Sequence, residues 1–220
     1  MREQGKVQTA YEIYQTAGWK ALLFAIYLFI RRRLPWFLRS PWFFDSFRSD
    51  YARQHIRYLN EREGLRVAEI GVWEGHHAKI LQNQLDVEKM YLIDPYDAYE
   101  DYEESKSEVK KMRDAKETAH NKLEPYDNIE WMELYSHQAA QEIDEQLDYV
   151  YIDGNHNYDY VKCDIELFYQ LVEPGGVIAG DDFTRGWPDV IRAVTEFAGE
   201  EGVEVHTEPY GADWWFKKSV

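Results

Sequence analysis

The sequence predicts a doubly wound α/β domain, with a mostly parallel seven-stranded sheet, preceded by an N-terminal helical extension. From Leu65 onward, short apolar runs alternate with longer amphipathic segments, the pattern of strands joined by helices in a parallel sheet. The chain has 220 residues, of which 45% are hydrophobic, enough for the core of one domain. The first fifty residues lack the alternation. We therefore expect an extension over residues 1–50 and one domain over residues 51–220.

The individual elements follow from the alternation. Five parallel strands are predicted at Arg66–Ile70, Met90–Asp94, Ile129–Leu134, Leu147–Asp153 and Val177–Asp181. Helices are predicted at His76–Gln84, Tyr96–Leu123, Ser136–Glu145, Tyr158–Val172 and Pro188–Ala198, and a hairpin of Val203–His206 and Trp214–Lys217 closes the sheet. Ligands of such sheets bind at the carboxyl ends of the strands, so the functional residues should follow the strands.

The charge is unevenly distributed along the chain. The net charge is −16; residues 1–40 carry +5 and the remainder carries −21. An acidic body argues against a nucleic-acid partner, because phosphate contacts need a basic surface. The single cysteine, Cys163, cannot form an internal disulfide. With no recognisable signal peptide, we expect a cytoplasmic location.

The N-terminal extension contains an uncharged run, Ala21–Ile30, which is too short to cross a bilayer. Arg31–Arg33 and several aromatic residues follow it. Two interpretations remain open. The extension could bury its apolar run in a homo-oligomer, which we favour slightly, or it could lie peripherally on the inner face of a membrane.

Two features point to a nucleoside ligand. The first strand is followed by Glu69-Ile-Gly71-Val-Trp-Glu-Gly75, and glycines there let the backbone approach a ligand closely. The spacing differs from the Gly-x-Gly-x-x-Gly of dinucleotide-binding folds, which disfavours a nicotinamide-dependent oxidoreductase. Asp94 ends the second strand, where a carboxylate can accept both hydroxyls of a ribose. Each feature alone also fits an ordinary turn.

Three carboxylates point to a divalent cation. Asp153 ends the fourth predicted strand, and Asp181 and Asp182 end the fifth. If these strands are neighbours, the three groups converge and repel each other unless a cation joins them. Such oxygen ligands suit Mg²⁺ best, or Mn²⁺ or Ca²⁺. The alternative is that Asp182 caps a helix and Asp153 makes a loop hydrogen bond.

His156 is the candidate general base, because a histidine has a neutral form near pH 7 that accepts a proton. A loop histidine bonded to nearby backbone is the alternative. Trp187 is placed to stack on a sugar ring, although a tryptophan of the core fits the sequence equally well.

Residues 65–217 resemble class I S-adenosylmethionine-dependent methyltransferases, in particular the macrocin O-methyltransferase-like sugar methyltransferases. Four segments carry the resemblance: Glu69–Gly75, Leu92–Asp94, Ile152–Tyr158 and Pro174–Asp182. The resemblance implies a Rossmann-like fold, S-adenosylmethionine as cofactor and an assisting divalent metal.

The resemblance also implies roles for individual residues. It implies cofactor contacts for Glu69, Gly71 and Asp94, and the predicted cofactor-binding set adds Gly75 and Ser136 to these. The implied metal ligands are Asp153, Asp181 and Asp182. Some relatives have an acid, proposed as the base, two residues after the first metal ligand. This chain has Asn155 there, which leaves His156 as the nearest candidate.

We therefore predict a metal-assisted O-methyltransferase that acts on a hydroxyl of a sugar or related polyol, with a small-molecule or glycan acceptor. His156 and Asp153 are the predicted catalytic residues. A catechol-type methyltransferase is one alternative. A non-catalytic, membrane-associated binding protein of the same fold is the other.

Overall fold

Seven strands form a single sheet in the computed structural model, which describes residues 53–97, 106–208 and 212–219. The strands are β1 (Leu65–Ile70), β2 (Val87–Ile93), β3 (Ile129–Met132), β4 (Leu147–Ile152), β5 (Val172–Gly180), β6 (His206–Thr207) and β7 (Trp214–Lys217). Their order is β3-β2-β1-β4-β5-β7-β6. The first five strands pair in parallel, while β7 is antiparallel to β5 and to β6. The predicted fold class is confirmed.

Six helices are described around the sheet. They are α1 (Gln54–Leu59), α2 (His76–Gln84), α3 (Lys106–Leu123), α4 (Ser136–Glu142), α5 (Tyr158–Leu171) and α6 (Pro188–Glu201). Helix α2 has the predicted bounds, and α5 ends one residue before its predicted end. The helix predicted at Tyr96–Leu123 corresponds to α3, but Tyr96 and Asp97 are not helical, and residues 98–105 lie outside the described residues.

The helices cover both faces of the sheet, because side chains along a strand alternate between faces. On one face, Ala68 and Val150 pack against α4, α5 and α6. On the other face, Val67 and Tyr149 pack against α1, α2 and α3. Each large aliphatic or aromatic side chain buried in these two layers contributes about 1.5–3 kcal/mol of burial free energy. This packing fixes the strand ends that carry the candidate site.

Two hydrogen bonds of His55 lie inside the second of these layers. The Nε2 atom of the fully buried His55 lies 3.1 Å from Oδ2 of Asp213, and its Nδ1 atom lies 2.9 Å from the hydroxyl of Tyr149. These bonds connect α1, β4 and the segment before β7. Buried polar groups need such partners, because an unpaired one costs about 1–3 kcal/mol.

The predicted extension, residues 1–50, lies outside the described residues, and so does its apolar run Ala21–Ile30. Its self-association and its membrane contact therefore stay predictions, as does the domain boundary. Among the described residues, no helix combines the length and the apolar character that a membrane crossing requires.

Candidate active site

A cleft of roughly 430 Å³ opens at the carboxyl ends of the central strands. The strand order reverses between β1 and β4, and doubly wound sheets bind ligands at this switch point. The lining residues that matter for the chemistry are Gly71, Asp94, Ser136, Asp153, Asn155 and His156. All of them except Asn155 belong to the predicted site sets, and the six come from three different strand ends and the start of a helix.

Gly71 lets the turns after β1 and β4 meet at the floor of the cleft. Its φ is +83°, and a Cβ added to it would lie 2.0 Å from the carbonyl oxygen of Asp153. A side chain is therefore excluded both by conformation and by space. The close approach exposes backbone rather than side chain to a ligand, as the sequence predicts for this position.

Asp94 is held at the cleft wall by the backbone of the β1 turn. Its Oδ2 atom accepts the N–H groups of Val72 and Trp73, each at 3.0 Å, and its Oδ1 atom accepts the N–H of Tyr96 at 2.8 Å. Burial raises the pKa of Asp94, and the three N–H groups oppose that rise. Each carboxylate oxygen has room for about two hydrogen bonds, so Oδ1 retains capacity for a ligand hydroxyl.

Two members of the predicted cofactor set lie away from the residues that line the cleft. Glu69 is only 1% exposed, and its Oε2 atom lies 3.3 Å from Nδ1 of His77. Gly75 has a φ of +69°, and an added Cβ would lie 2.9 Å from the Leu123 side chain in α3. Gly75 thus allows close packing between helices α2 and α3. Direct contact of either residue with a cofactor stays a prediction.

Ser136 lines the cleft, and a buried residue of α5 orients its side chain. Its hydroxyl donates to Oδ1 of Asp164, a residue of α5 that is 4% exposed. Burial raises the pKa of Asp164 to about 7. Our sequence analysis missed Asp164. The available signal is an acid in the apolar helical stripe formed with Val161, Ile165 and Phe168.

Asp153, His156 and Asp182 form a cluster at the end of the cleft, and we call these three residues the acidic cluster. One potential ligand atom from each lies within 4.8 Å of the others. The Nε2 atom of His156 lies 2.7 Å from Oδ2 of Asp182 and 3.7 Å from Oδ1 of Asp153. Interaction with Asp153, together with the charge of Asp182, raises the pKa of His156, although burial opposes the rise.

The register between β4 and β5 brings this cluster together. Ile152 pairs with Gly180 in the parallel ladder, so the residues that follow the two strands lie side by side. A Cβ added at Gly180 would lie 2.5 Å from the carbonyl oxygen of Ile152, which shows how closely the two strand ends approach. The expected convergence of Asp153 and Asp182 therefore has a structural basis.

The structure places Asp181 differently from its two predicted partners. Its Oδ1 atom accepts the N–H of Asp182 at 2.7 Å, and Asp181 is not a member of the acidic cluster. His156 supplies the third potential ligand atom instead. A ligand role for Asp181 stays a prediction.

The chemistry of the acidic cluster fits a divalent cation. Two carboxylates and an imidazole are ligands that Mn²⁺ and similar first-row ions accept, whereas two carboxylates and water suffice for Mg²⁺. The three side chains are between 24% and 36% exposed, so an ion and a substrate oxygen can reach them.

Trp187 lies beside the cluster. Its ring stacks on His156 with centroids 4.5 Å apart and planes at 22°. The side chain is 41% exposed, so Trp187 is a surface residue rather than part of the core. Its position immediately before α6 holds an aromatic face next to the acidic cluster.

A family model described as a methyltransferase domain matches residues 68–183, more than half of the chain. The chain belongs to this family. Among curated proteins, an uncharacterized protein of Acanthamoeba polyphaga mimivirus is 28% identical over 147 residues, which cover 64% of this chain. The matched region spans 62% of that relative's length.

Solved structures of methyltransferases share the fold. The O-methyltransferase NovP has a TM-score of 0.57 at 15% identity, covering 79% of this chain and 80% of its own. TomG from Streptomyces achromogenes, in complex with SAM, scores 0.54 at 14% identity, with coverages of 76% and 78%. An O-methyltransferase from Bacillus cereus, in complex with SAH, scores 0.51 at 16% identity, with coverages of 74% and 77%. These likenesses confirm the predicted Rossmann-like class I fold, and the family match confirms the predicted methyltransferase domain over residues 68–183.

Proposed function

We propose that this methyltransferase uses S-adenosylmethionine to methylate a hydroxyl of a sugar or related polyol, as in the macrocin-like subgroup, with a divalent cation assisting. The observation that carries the proposal is that two members of the acidic cluster, Asp153 and His156, line the same cleft as Gly71 and Asp94. One end of the cleft thus suits a nucleoside, and the other suits an oxygen nucleophile.

At the nucleoside end of the cleft, residues of the chain bind and orient the cofactor. S-adenosylmethionine, when bound, supplies an electrophilic methyl group. Asp94 offers an oxygen to a ribose hydroxyl, and the backbone at Gly71 allows close approach. The Ser136 hydroxyl donates a hydrogen bond to Asp164, so the lone pairs of its oxygen are available to accept from a cofactor N–H. Holding reactants in such fixed positions is a large source of rate acceleration.

At the other end of the cleft, the acidic cluster binds the acceptor hydroxyl and provides a group that can accept its proton. A divalent cation held by Asp153 and Asp182 would lower the pKa of a hydroxyl bound to it. His156 is the adjacent group that can take the proton. The two carboxylates that raise its pKa also stabilise its protonated form. If His156 is the base, Mg²⁺ suits the remaining oxygen ligands, while His156 as a ligand favours Mn²⁺.

An aromatic residue beside the acidic cluster supports a sugar as the acceptor. The exposed ring of Trp187 presents an apolar face whose π-electrons attract the polarised C–H groups of a sugar ring. NovP, TomG and the Bacillus cereus protein are each described as O-methyltransferases, which supports a hydroxyl acceptor. A catechol-type acceptor also offers two oxygens to the cluster and is the second candidate.

Calorimetry of the purified protein with S-adenosylmethionine, S-adenosylhomocysteine and NAD tests the proposal. We expect both nucleosides to bind with micromolar affinity and NAD not to bind. Asp94→Ala should weaken nucleoside binding by roughly 1.5–3 kcal/mol, because hydrogen bonds to a charged acceptor are lost. Asp144→Ala is a matched control, since Asp144 is exposed and does not line the cleft. Binding of NAD in place of the two nucleosides would rule the cofactor out.

A further inference from the structure

Asn155 has a buried amide group that the structure leaves without a partner. The residue is 8% exposed and lines the cleft between Gly154 and His156. Within the described part of the chain, its Nδ2 atom makes no hydrogen bond. Buried hydrogen-bond donors of side-chain amides almost always have an acceptor.

The orientation of this side chain is fixed by its other atom. Oδ1 of Asn155 accepts the backbone N–H of Asn157 at 2.9 Å. Because a backbone N–H requires an acceptor, the oxygen must occupy that side, and the two N–H bonds of Nδ2 must point away from it. The unpaired donor is therefore a consequence of the local backbone rather than of an exchange of oxygen and nitrogen.

We infer that the Nδ2 amide of Asn155 is a ligand-binding donor, which hydrogen-bonds an oxygen atom of a molecule bound beside the acidic cluster. The inference rests on the proposed function. That function offers two sources of such an oxygen: the carboxylate at the amino-acid end of the cofactor, and a hydroxyl of the acceptor. Both are hydrogen-bond acceptors, and a buried donor recognises either.

The chemistry of an amide separates this role from proton transfer. An amide does not accept a proton near neutral pH, so Asn155 binds and positions an oxygen while His156 remains the nearest proton acceptor. Replacement by aspartate would exchange the donor for a third carboxylate beside Asp153 and Asp182. That change removes the hydrogen bond and adds repulsion toward an anionic ligand oxygen.

Two variants and three probes test the inference on the full chain. Asn155→Asp keeps the acceptor for the Asn157 N–H and loses the donor, and Asn155→Ala loses both. The probes are S-adenosylhomocysteine, 5′-methylthioadenosine, which lacks the amino-acid end, and 4-nitrocatechol added to the protein with S-adenosylhomocysteine and MgCl₂. Asn121→Asp is the control, because it makes the same chemical change at an exposed site that does not line the cleft.

We expect both Asn155 variants to bind one probe about 5- to 100-fold more weakly, the usual cost of one buried hydrogen bond. A loss confined to S-adenosylhomocysteine, with 5′-methylthioadenosine unchanged, identifies the cofactor carboxylate. A loss confined to 4-nitrocatechol identifies the acceptor hydroxyl. Unchanged binding of all three probes, or an equal loss for all three, overturns the inference.

The same titrations distinguish failure of the inference from failure of the proposed function. Wild-type protein that binds no S-adenosylhomocysteine contradicts the proposed function, and the inference falls with it. Wild-type protein that binds it, beside Asn155 variants that bind every probe as tightly, contradicts only the role of Asn155.

Discussion

His156 lies beside Asp153 and Asp182, the two carboxylates that we propose hold a divalent cation. Asp153 and Asp182 raise its pKa, so the protein without a cation holds a proton on the imidazole to higher pH than a free histidine does. A cation at the two carboxylates favours the neutral imidazole, because two positive charges repel each other. Cation binding should therefore strengthen as the pH rises through the pKa of His156.

Replacement of His156 by glutamine tests whether it is the base. We expect His156→Gln to lower the turnover rate by roughly 10²–10⁴-fold. If His156 is the base, the neutral imidazole is the active form, so activity of the wild type should rise with pH and the variant should lack this rise. The pH–rate profile of methyl transfer measures both effects.

Calorimetry with Mn²⁺ is the control for the histidine variant. A variant that binds Mn²⁺ normally but turns over slowly supports the base. Loss of Mn²⁺ binding makes His156 a metal ligand instead. An unchanged pH–rate profile would assign the proton transfer to another group.

Asp164 makes the stability of the fold depend on pH. Burial raises its pKa to about 7, above the value of about 4 in an unfolded chain. Between these values the unfolded state releases the proton that the folded state keeps, so this group lowers stability as the pH rises. We expect Asp164→Asn, which keeps an acceptor for Ser136, to match the wild type near pH 4. At pH 8 it should exceed the wild type by up to about 4 kcal/mol.

Urea unfolding of both proteins from pH 4 to pH 8 measures this difference. Glu166→Gln is a suitable control, because Glu166 lies on the exposed side of the same helix. A stability difference that stays constant across the pH range would show that Asp164 is ionised throughout.

At the scale of elements, the turn after β1 is the feature on which the cleft depends most. Gly71→Ala would force a Cβ against the carbonyl oxygen of Asp153, 2.0 Å away, in a backbone conformation that alanine disfavours. We expect loss of measurable S-adenosylhomocysteine binding, together with a lower melting temperature. Calorimetry and thermal unfolding provide the two readouts.

A second glycine offers the matched control for this turn. Gly199 lies in α6, where an added Cβ has no atom within 4 Å. Gly199→Ala should preserve nucleoside binding and raise stability by up to about 1 kcal/mol, since alanine favours helix. Normal binding by Gly71→Ala would mean that the close approach of the two turns is not needed for the ligand.

Periodicity predicted most elements, because each strand or helix buries a regular set of side chains. The Pro174-Gly-Gly176 segment shows where it was insufficient. The predicted fifth strand begins after it, at Val177, but β5 begins at Val172 and passes through the segment, because Val172 pairs with Leu147 before the register shifts. The short helix α1 was also missed. It carries His55, whose partners Tyr149 and Asp213 are distant in sequence.

Sequence reasoning was also insufficient for part of the candidate site. Asp94 and Asp153 follow strands, so their place at one sheet edge could be predicted from the sequence. The orientation of each side chain depends on local hydrogen bonds, such as that from the Asp182 N–H to Asp181. The unpaired amide of Asn155 likewise depends on the position of one backbone N–H, which the sequence alone does not specify.

At the scale of the whole molecule, helices cover both faces of the sheet, so the carboxyl ends of the strands are the part of the sheet that a ligand can reach. Helices α1 to α3 and α4 to α6 bury opposite faces, so ligands reach the strand ends without disturbing either core. The acidic cluster and the nucleoside end of the cleft are carried by β1, β2, β4 and β5, which lie next to one another. The pairing of these central strands sets the distance between the two ends of the cleft.

The N-terminal extension is the remaining determinant of how the whole molecule behaves. Residues 1–40 carry +5 against −21 for the remainder, so an extension of one chain is attracted to the body of another. Ala21–Ile30 also favours burial, since ten uncharged apolar residues are poorly tolerated in water. We expect a homo-oligomer whose contacts include residues 11–44, ahead of the alternative in which Arg31–Arg33 and the aromatic residues after them contact anionic lipid.

Deletion of residues 1–44 separates these two interpretations. We expect the truncated protein to lose its oligomeric mass in light scattering while its binding to anionic liposomes stays as in the full chain. Loss of liposome binding with an unchanged number of subunits supports contact with lipid instead, because the deletion removes the basic and aromatic residues that would contact the headgroups. S-adenosylhomocysteine binding, which we propose for the cleft, should be retained in either case. A truncated protein that keeps both its subunit number and its liposome behaviour contradicts both interpretations and makes the extension a cover for its own domain.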